Sequence, residues 1–267
     1  MDRFTLLTPL YSDAATLSGG SWAMDLALLQ DMQPSQTVQS TDATNASTKF
    51  KIHFPTARAI SGFGFGKTNL EADARLKFSG AAAEGDLGST GYVGSWGSAW
   101  PVTGRPTDAD LDYLDVFKMI TPGSAYEWWQ VEIDDDTNSD GFVELGRLYA
   151  DEAWSPDATF TYGSEATRID VSIRNKTEGG FTNTERRDGP RFWDLKFDFL
   201  SIAEAKGFVY ELRRRVGTAG DVFVCLNPEE TTYLHREMMM ATFDAMPGTP
   251  YRFLDRFACN FKLLELR

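Results

Sequence analysis

The stretch Glu127–Tyr149, EWWQVEIDDDTNSDGFVELGRLY, decides the fold class. In its first arm Trp129, Val131 and Ile133 fall on one face and Trp128, Gln130 and Glu132 on the other, the two-residue period of a half-buried strand. In the second arm Val143, Leu145 and Tyr149 oppose Phe142, Glu144 and Leu148. Asp140-Gly141 lies between them, a pair suited to turn positions with positive φ. The pattern predicts a β-hairpin with an acidic tip in a mainly β protein.

Composition agrees with many short strands and turns: 13% of the 267 residues are aromatic and 23 are glycine. The 26 basic and 39 acidic residues leave a net charge of −13, which argues against a broad nucleic-acid footprint. That charge is unevenly placed. Residues 161–267 hold 16 basic and 16 acidic residues, so the whole excess lies in residues 1–160 and predicts a boundary near residue 160.

Residues 1–45 read as an N-terminal arm with a Ser/Thr/Asn/Gln-rich linker, which extends to about residue 48. A first sandwich is expected over 46–160, with strands around Phe50–Phe54, Ala57–Phe65 and Ala72–Phe78 and a long Gly/Ser-rich loop over Gly80–Gly104. Asp108–Met119 reads as a short helix or a turn-rich strand. A second β-rich domain is expected over 161–267. In it Phe192–Leu200 alternates, with Trp193, Leu195, Phe197 and Phe199 on one face and Phe192, Asp194, Lys196 and Asp198 on the other, Ser201 and Glu204 form a capping box for a helix to Val216, Asp221–Leu226 is a strand, and Tyr251–Leu266 is one long strand.

Chemistry-bearing motifs are sparse. Gly62-Phe63-Gly64-Phe65-Gly66-Lys67-Thr68 ends like a phosphate-binding loop, but the spacing requires Gly at position 61, which is Ser61. A strand and a tight glycine turn account for these glycines. Asp134, Asp136, Asn138 and Asp140 offer alternating oxygens for a weak calcium site, yet Arg147 stands where the closing bidentate Glu belongs. No catalytic residues, metal site or cofactor are expected otherwise. His53 and His235 read as structural, Cys225 and Cys259 as buried free thiols, and no Ser occupies a nucleophile elbow. Paired carboxylates for glycoside cleavage can be neither nominated nor excluded.

Tyr92, Trp96 and Trp100 in the Gly80–Gly104 loop admit two readings, a neighbouring subunit contact or a stacking platform for a host surface glycan. The N-terminus lacks the build of a signal peptide and no apolar run is long enough to span a membrane, so membrane insertion is not expected and synthesis in a cytoplasm is.

Two blocks carry a family resemblance. Ala57–Leu70 with Ala72–Phe78, and Gly141–Leu148, resemble strands of galactose-binding-like (discoidin-type) jelly rolls in tail proteins of bacterial viruses. Phe192–Leu200, the Leu212–Gly217 helix end and Asp221–Pro228 are similar to the assembly domain of bacteriophage distal tail and tail-tip baseplate proteins. The resemblance implies two sandwich-like domains and a structural, non-enzymatic virion protein of a long non-contractile tail. It implies a homo-oligomeric ring whose partners are tail tube, hub and fibre proteins. The alternatives are a carbohydrate-binding module and, behind it, a carbohydrate-active enzyme.

Overall fold

The computed structural model describes residues 4–33, 35–107, 114–253 and 255–267. Among the described residues twelve strands precede residue 157: β1 (Thr5–Leu7), β2 (Thr16–Ser18), β3 (Val38–Gln39), β4 (Phe50–Arg58), β5 (Gly62–Thr68), β6 (Arg75–Ala81), β7 (Tyr92–Val93), β8 (Gly97–Ser98), β9 (Leu114–Met119), β10 (Tyr126–Asp134), β11 (Glu144–Leu145) and β12 (Leu148–Asp151). Eight follow: β13 (Glu165–Arg168), β14 (Ile173–Lys176), β15 (Thr182–Glu185), β16 (Arg191–Leu200), β17 (Asp221–Cys225), β18 (Met238–Ala245), β19 (Tyr251–Phe253) and β20 (Arg256–Glu265). A short helix, α1, covers Asn45–Thr48, and a π turn over Glu204–Phe208 runs into α2, Val209–Arg215. The protein is mainly β. Of the segment expected over Asp108–Met119, residues 108–113 lie outside the described residues, and the rest is β9.

The chain divides into two compact units, residues 1–156 with 222–240, and residues 157–221 with 241–267. The first unit therefore takes in a segment that charge alone assigned to the second. Its larger sheet has the order β2-β4-β10-β6-β7, with β8 also on β6, and its smaller sheet the order β12-β5-β9. From β4 to β12 the main strands alternate between the two sheets, which is jelly-roll connectivity. Phe50, Ile52, Phe78, Trp129, Val131 and Ile133 of the larger sheet and Phe63, Phe65, Val116 and Leu148 of the smaller one share a single buried core.

The predicted hairpin Glu127–Tyr149 is not a hairpin. Its first arm is β10, paired to β4 and β6, while β12 pairs with β5 in the opposite sheet and β11 pairs with β3. Alternation says that each arm buries one face; it does not say that the arms bury it against each other. The connection turns a corner between sheets, and Gly141 takes φ +75° within it.

Residues expected as an arm are built into the first unit. β2 pairs with β4, Leu26, Leu29 and Val38 are buried, and polar side chains complete other segments' backbones: Ser40 Oγ accepts from Val143 N and Thr48 Oγ1 donates to Ile133 O. Such bonds to distant strands leave no periodic trace in the sequence.

The GFGFGKT segment is strand β5. Phe63 and Phe65 point into the core, and the alternate glycines form a flat face. On it lie Leu7, Phe223 and Met240: a Cβ at Gly62 would stand 2.5 Å from Leu7 Cδ2, one at Gly64 3.1 Å from the Phe223 ring, and one at Gly66 2.2 Å from Met240 Sδ. Phe223 also stacks on Phe117 at 5.8 Å and meets Tyr149 at 5.4 Å. The glycines serve close approach rather than a turn or a phosphate. Lys67, at φ +59°, marks a bulge where the register on β9 shifts.

In the second unit β16 and β20 form a long antiparallel pair, with β13 on the far side of β16 and residues 241–245 of β18 and β19 on β20. Trp193, Leu195 and Phe197 are buried, but Phe199 is exposed and Leu200 buried instead. A bulge between Phe197 and Leu200 shifts the strand by one residue and reverses the expected facing. The predicted strand Tyr251–Leu266 folds back as β19 and β20. The capping box forms as expected: Ser201 N and Oγ donate to Glu204 Oε2 at 2.7 Å. Cys225 and Cys259 are buried free thiols, and burial pushes the Cys259 thiol up to about 12.

Asp151 is buried beside Thr8, whose N and Oγ1 donate to Oδ2 at 2.8 and 2.5 Å. Burial outweighs these bonds and pushes its carboxyl up to about 6. A raised carboxyl favours the folded state at low pH, and that contribution fades as pH rises through about 6. Relative to Asp151→Asn, the unmodified protein should gain about 2 kcal/mol between pH 7.5 and 4.5 in denaturant titrations; a flat difference would refute the assignment. Gly64→Val should destabilise by about 2 kcal/mol through collision with Phe223, and Phe223→Ala in that background should cost less than it does alone. Additive losses in the double-mutant cycle would show that the ring does not seat on Gly64.

Candidate functional site

Because β10 buries Trp129, Val131 and Ile133, its other side chains lie on the outer face of the larger sheet. Register extends that face in rows. Trp128 is flanked by His53 and Ala81, Gln130 by Lys51 and Ser79, and Glu132 by Lys77. Thr16 and Ser18 of β2 continue the rows beyond His53 and Lys51.

The His53 and Trp128 rings stack at 4.1 Å and 19°. Both are half-buried, so each keeps surface exposed to solvent. On the edge beyond β6, the half-buried Trp96 ring has Lys77 Nζ at 5.7 Å and the Arg75 guanidinium at 5.9 Å. Between these aromatic flanks lies a polar floor: Lys77 Nζ pairs with Glu132 Oε1 at 2.9 Å, Lys51 Nζ pairs with Glu84 Oε1 at 2.7 Å, and Gln130 sits amid them. Ser79, in the same outward register, is fully buried and its Oγ has no hydrogen-bond partner among the described residues. Aromatic faces beside amide, ammonium, carboxylate and hydroxyl groups can hold a ring that is apolar on one side and rich in hydroxyls at its edge.

The three loop aromatics expected to act together do not converge. Trp100 is buried and its Nε1 donates to Glu71 O, an internal brace. Tyr92 packs against Trp129 at 5.9 Å, and burial raises its hydroxyl above the usual tyrosine range. Of the three, Trp96 stands on the polar sheet face. His53, which the sequence presents as structural, and Trp128, whose outward register is visible in EWWQVEID, complete that face. The missing information was that β4 and β10 are neighbours.

The acidic loop likewise does not gather a calcium shell. Asp134 pairs with Arg75, Asp140 Oδ2 accepts from Asn69 Nδ2 at 3.0 Å, Asn138 Nδ2 donates to Asp135 Oδ2 at 2.7 Å, and Asp136 is exposed. Among the described residues no group of three or more His, Cys, Asp or Glu side chains is placed to hold a metal ion. The loop is a structural weave instead: Glu71 accepts from Ser139 Oγ and Arg105, Thr137 Oγ1 donates to Asp73, and Asp135 accepts from Glu71 N. Burial raises the Asp135 carboxyl. Arg147 grips Asp13 with two bonds of 2.6 and 2.8 Å.

No protein-family model matches the chain, and no curated protein matches it. Among solved structures it is similar to CBM32-1 from a family 31 glycoside hydrolase of Clostridium perfringens, with 12% identity and a TM-score of 0.33 over 53% of this chain and 96% of that one. It is also similar to the family 32 CBM of C. perfringens NanJ, solved in complex with galactose, with 11% identity and a TM-score of 0.36 over 56% of this chain and 99% of that one.

Proposed function

We propose that the first unit is a galactose-binding-like jelly roll that acts as a carbohydrate-binding module, holding a neutral glycan on the outer face of its larger sheet and breaking no bond in it. The observation that carries this reading is the stacked His53–Trp128 pair beside the polar floor of Lys51, Gln130, Lys77 and Glu132. In this reading Trp128 stacks on the sugar ring, Gln130 and Lys51 bond its hydroxyls, and Trp96 contacts a second residue of the chain. Galactosides are a first probe set. On a glycan array and by calorimetry, Trp128→Ala should weaken binding about tenfold, equivalent to about 1.4 kcal/mol, with an unchanged melting temperature and no release of reducing ends by either protein. Binding that survives both Trp128→Ala and Trp96→Ala, or an array with no glycan retained, would overturn it.

A second reading, assembly as a homo-oligomer, is favoured by one feature, which does not bear on a phage tail-tip role. The β14–β15 hairpin is exposed on both strands, with Ile173 and Phe181 open to solvent, and a two-stranded ribbon is marginal by itself. Light scattering should then report a closed oligomer that shortening of the Thr177–Phe181 turn dissociates; a monomer at high concentration would count against assembly.

A further inference from the structure

The same ribbon opens a cavity at its base, within the second unit. β13 pairs with β16 as far as Arg168↔Arg191, and pairing resumes only at Ile173↔Glu185. Between these ladders the chains separate around a cavity of about 470 Å³, lined by Arg168, Arg174, Arg186 and Arg187 with Asp170 and Asp188. The gap is built rather than frayed. Ser172 N donates to Asp170 Oδ1 at 2.9 Å, Arg187 N donates to Ser172 Oγ at 3.2 Å, and Ile169 N donates to Pro190 O at 2.9 Å. Gly189 is needed there, because a Cβ would fall 1.5 Å from Ile169 O.

The arginines are unequally engaged. Arg187 donates through Nε and Nη2 to Glu185 Oε1 at 2.9 and 2.8 Å, and Arg174 stands 3.7 Å from Asp170. Among the described residues neither Arg168 nor Arg186 makes an ion pair within 4 Å, and Arg186 acts on Asp170 only from a distance, as one of the weaker influences that lower that carboxyl. Two guanidinium forks thus face a cavity whose lining carries four positive and two negative charges, in a protein of net charge −13. Planar forks match the paired oxygens of a carboxylate or sulfate.

We propose that this cavity binds the oxyanion of an acidic sugar residue, a carboxylate or a sulfate ester, through Arg168 and Arg186. The sugar part rests on the glycan-binding reading above; the oxyanion part rests on the arginines alone. The test is calorimetric titration of the full chain with an oligogalacturonate, a sulfated oligosaccharide and a neutral oligosaccharide of equal length, with inorganic sulfate as competitor. Both anionic sugars should bind, with affinity that falls between about 50 and 300 mM salt. Arg168→Gln with Arg186→Gln should weaken that binding about tenfold without moving the melting temperature, and the corresponding lysine pair should retain part of it. Whatever binding the neutral oligosaccharide shows should be indifferent to the glutamine pair, which separates this site from the sheet face. Failure of both anionic sugars to bind, indifference to the glutamine pair, or tighter binding of inorganic sulfate or single-stranded RNA than of either sugar would overturn the proposal.

Discussion

The seating of Leu7, Phe223 and Met240 on the glycine face of β5 is the contact on which the first unit depends. A three-stranded sheet in a jelly roll ordinarily leaves its outer face to solvent, and β5 would then carry polar residues there. Glycines at 62, 64 and 66 instead strip that face of side chains, so β1 and the segment 222–240 can come within contact distance. Burying both faces explains why β12 is buried along its whole length and why the unit recruits chain from beyond residue 220. It also places Asp151 beside Thr8, in surroundings dry enough to raise its carboxyl.

What was legible in the sequence was facing, and what was not was partnership. Trp129, Val131 and Ile133 are buried as their spacing requires, and the capping box of Ser201 and Glu204 is local enough to be read directly. The hairpin failed because two amphipathic strands joined by a turn fit one sheet and two facing sheets equally well. Phe199 failed for a subtler reason: a single-residue bulge reverses facing for the rest of a strand, and nothing in the spacing announces it. The glycines of β5 mark a strand in the sequence but not their purpose, since the residues that need the space lie more than 50 positions earlier or 150 later in the chain.

The candidate site shows the same division. Trp96 was picked out because it sits in a Gly-rich loop, where an aromatic side chain looks conspicuous, and so were Tyr92 and Trp100, which turned out to brace the fold. His53 and Trp128 were inconspicuous because each lies inside a regular strand. Their meeting depends on β4 and β10 being adjacent at one register, a fact that belongs to the sheet rather than to either strand.

Stability gives the outer sheet face little reason to be as it is. A partly exposed pair such as Lys51–Glu84 contributes about 0–1 kcal/mol, and a sheet already buried on its inner side does not need aromatic rings on its outer one. Large rings kept partly in water lose the burial that would stabilise the fold, and the Ser79 hydroxyl beneath the same surface has no hydrogen-bond partner among the described residues. A face that the core does not require, yet which holds stacked rings beside a polar floor, is the physical ground of the binding role proposed for it. The strong negative charge of the first unit, 25 acidic against 11 basic residues, favours an uncharged ligand on that face. The second unit, with 14 acidic and 15 basic residues, does not impose the same repulsion, and it is there that the arginine-lined cavity lies.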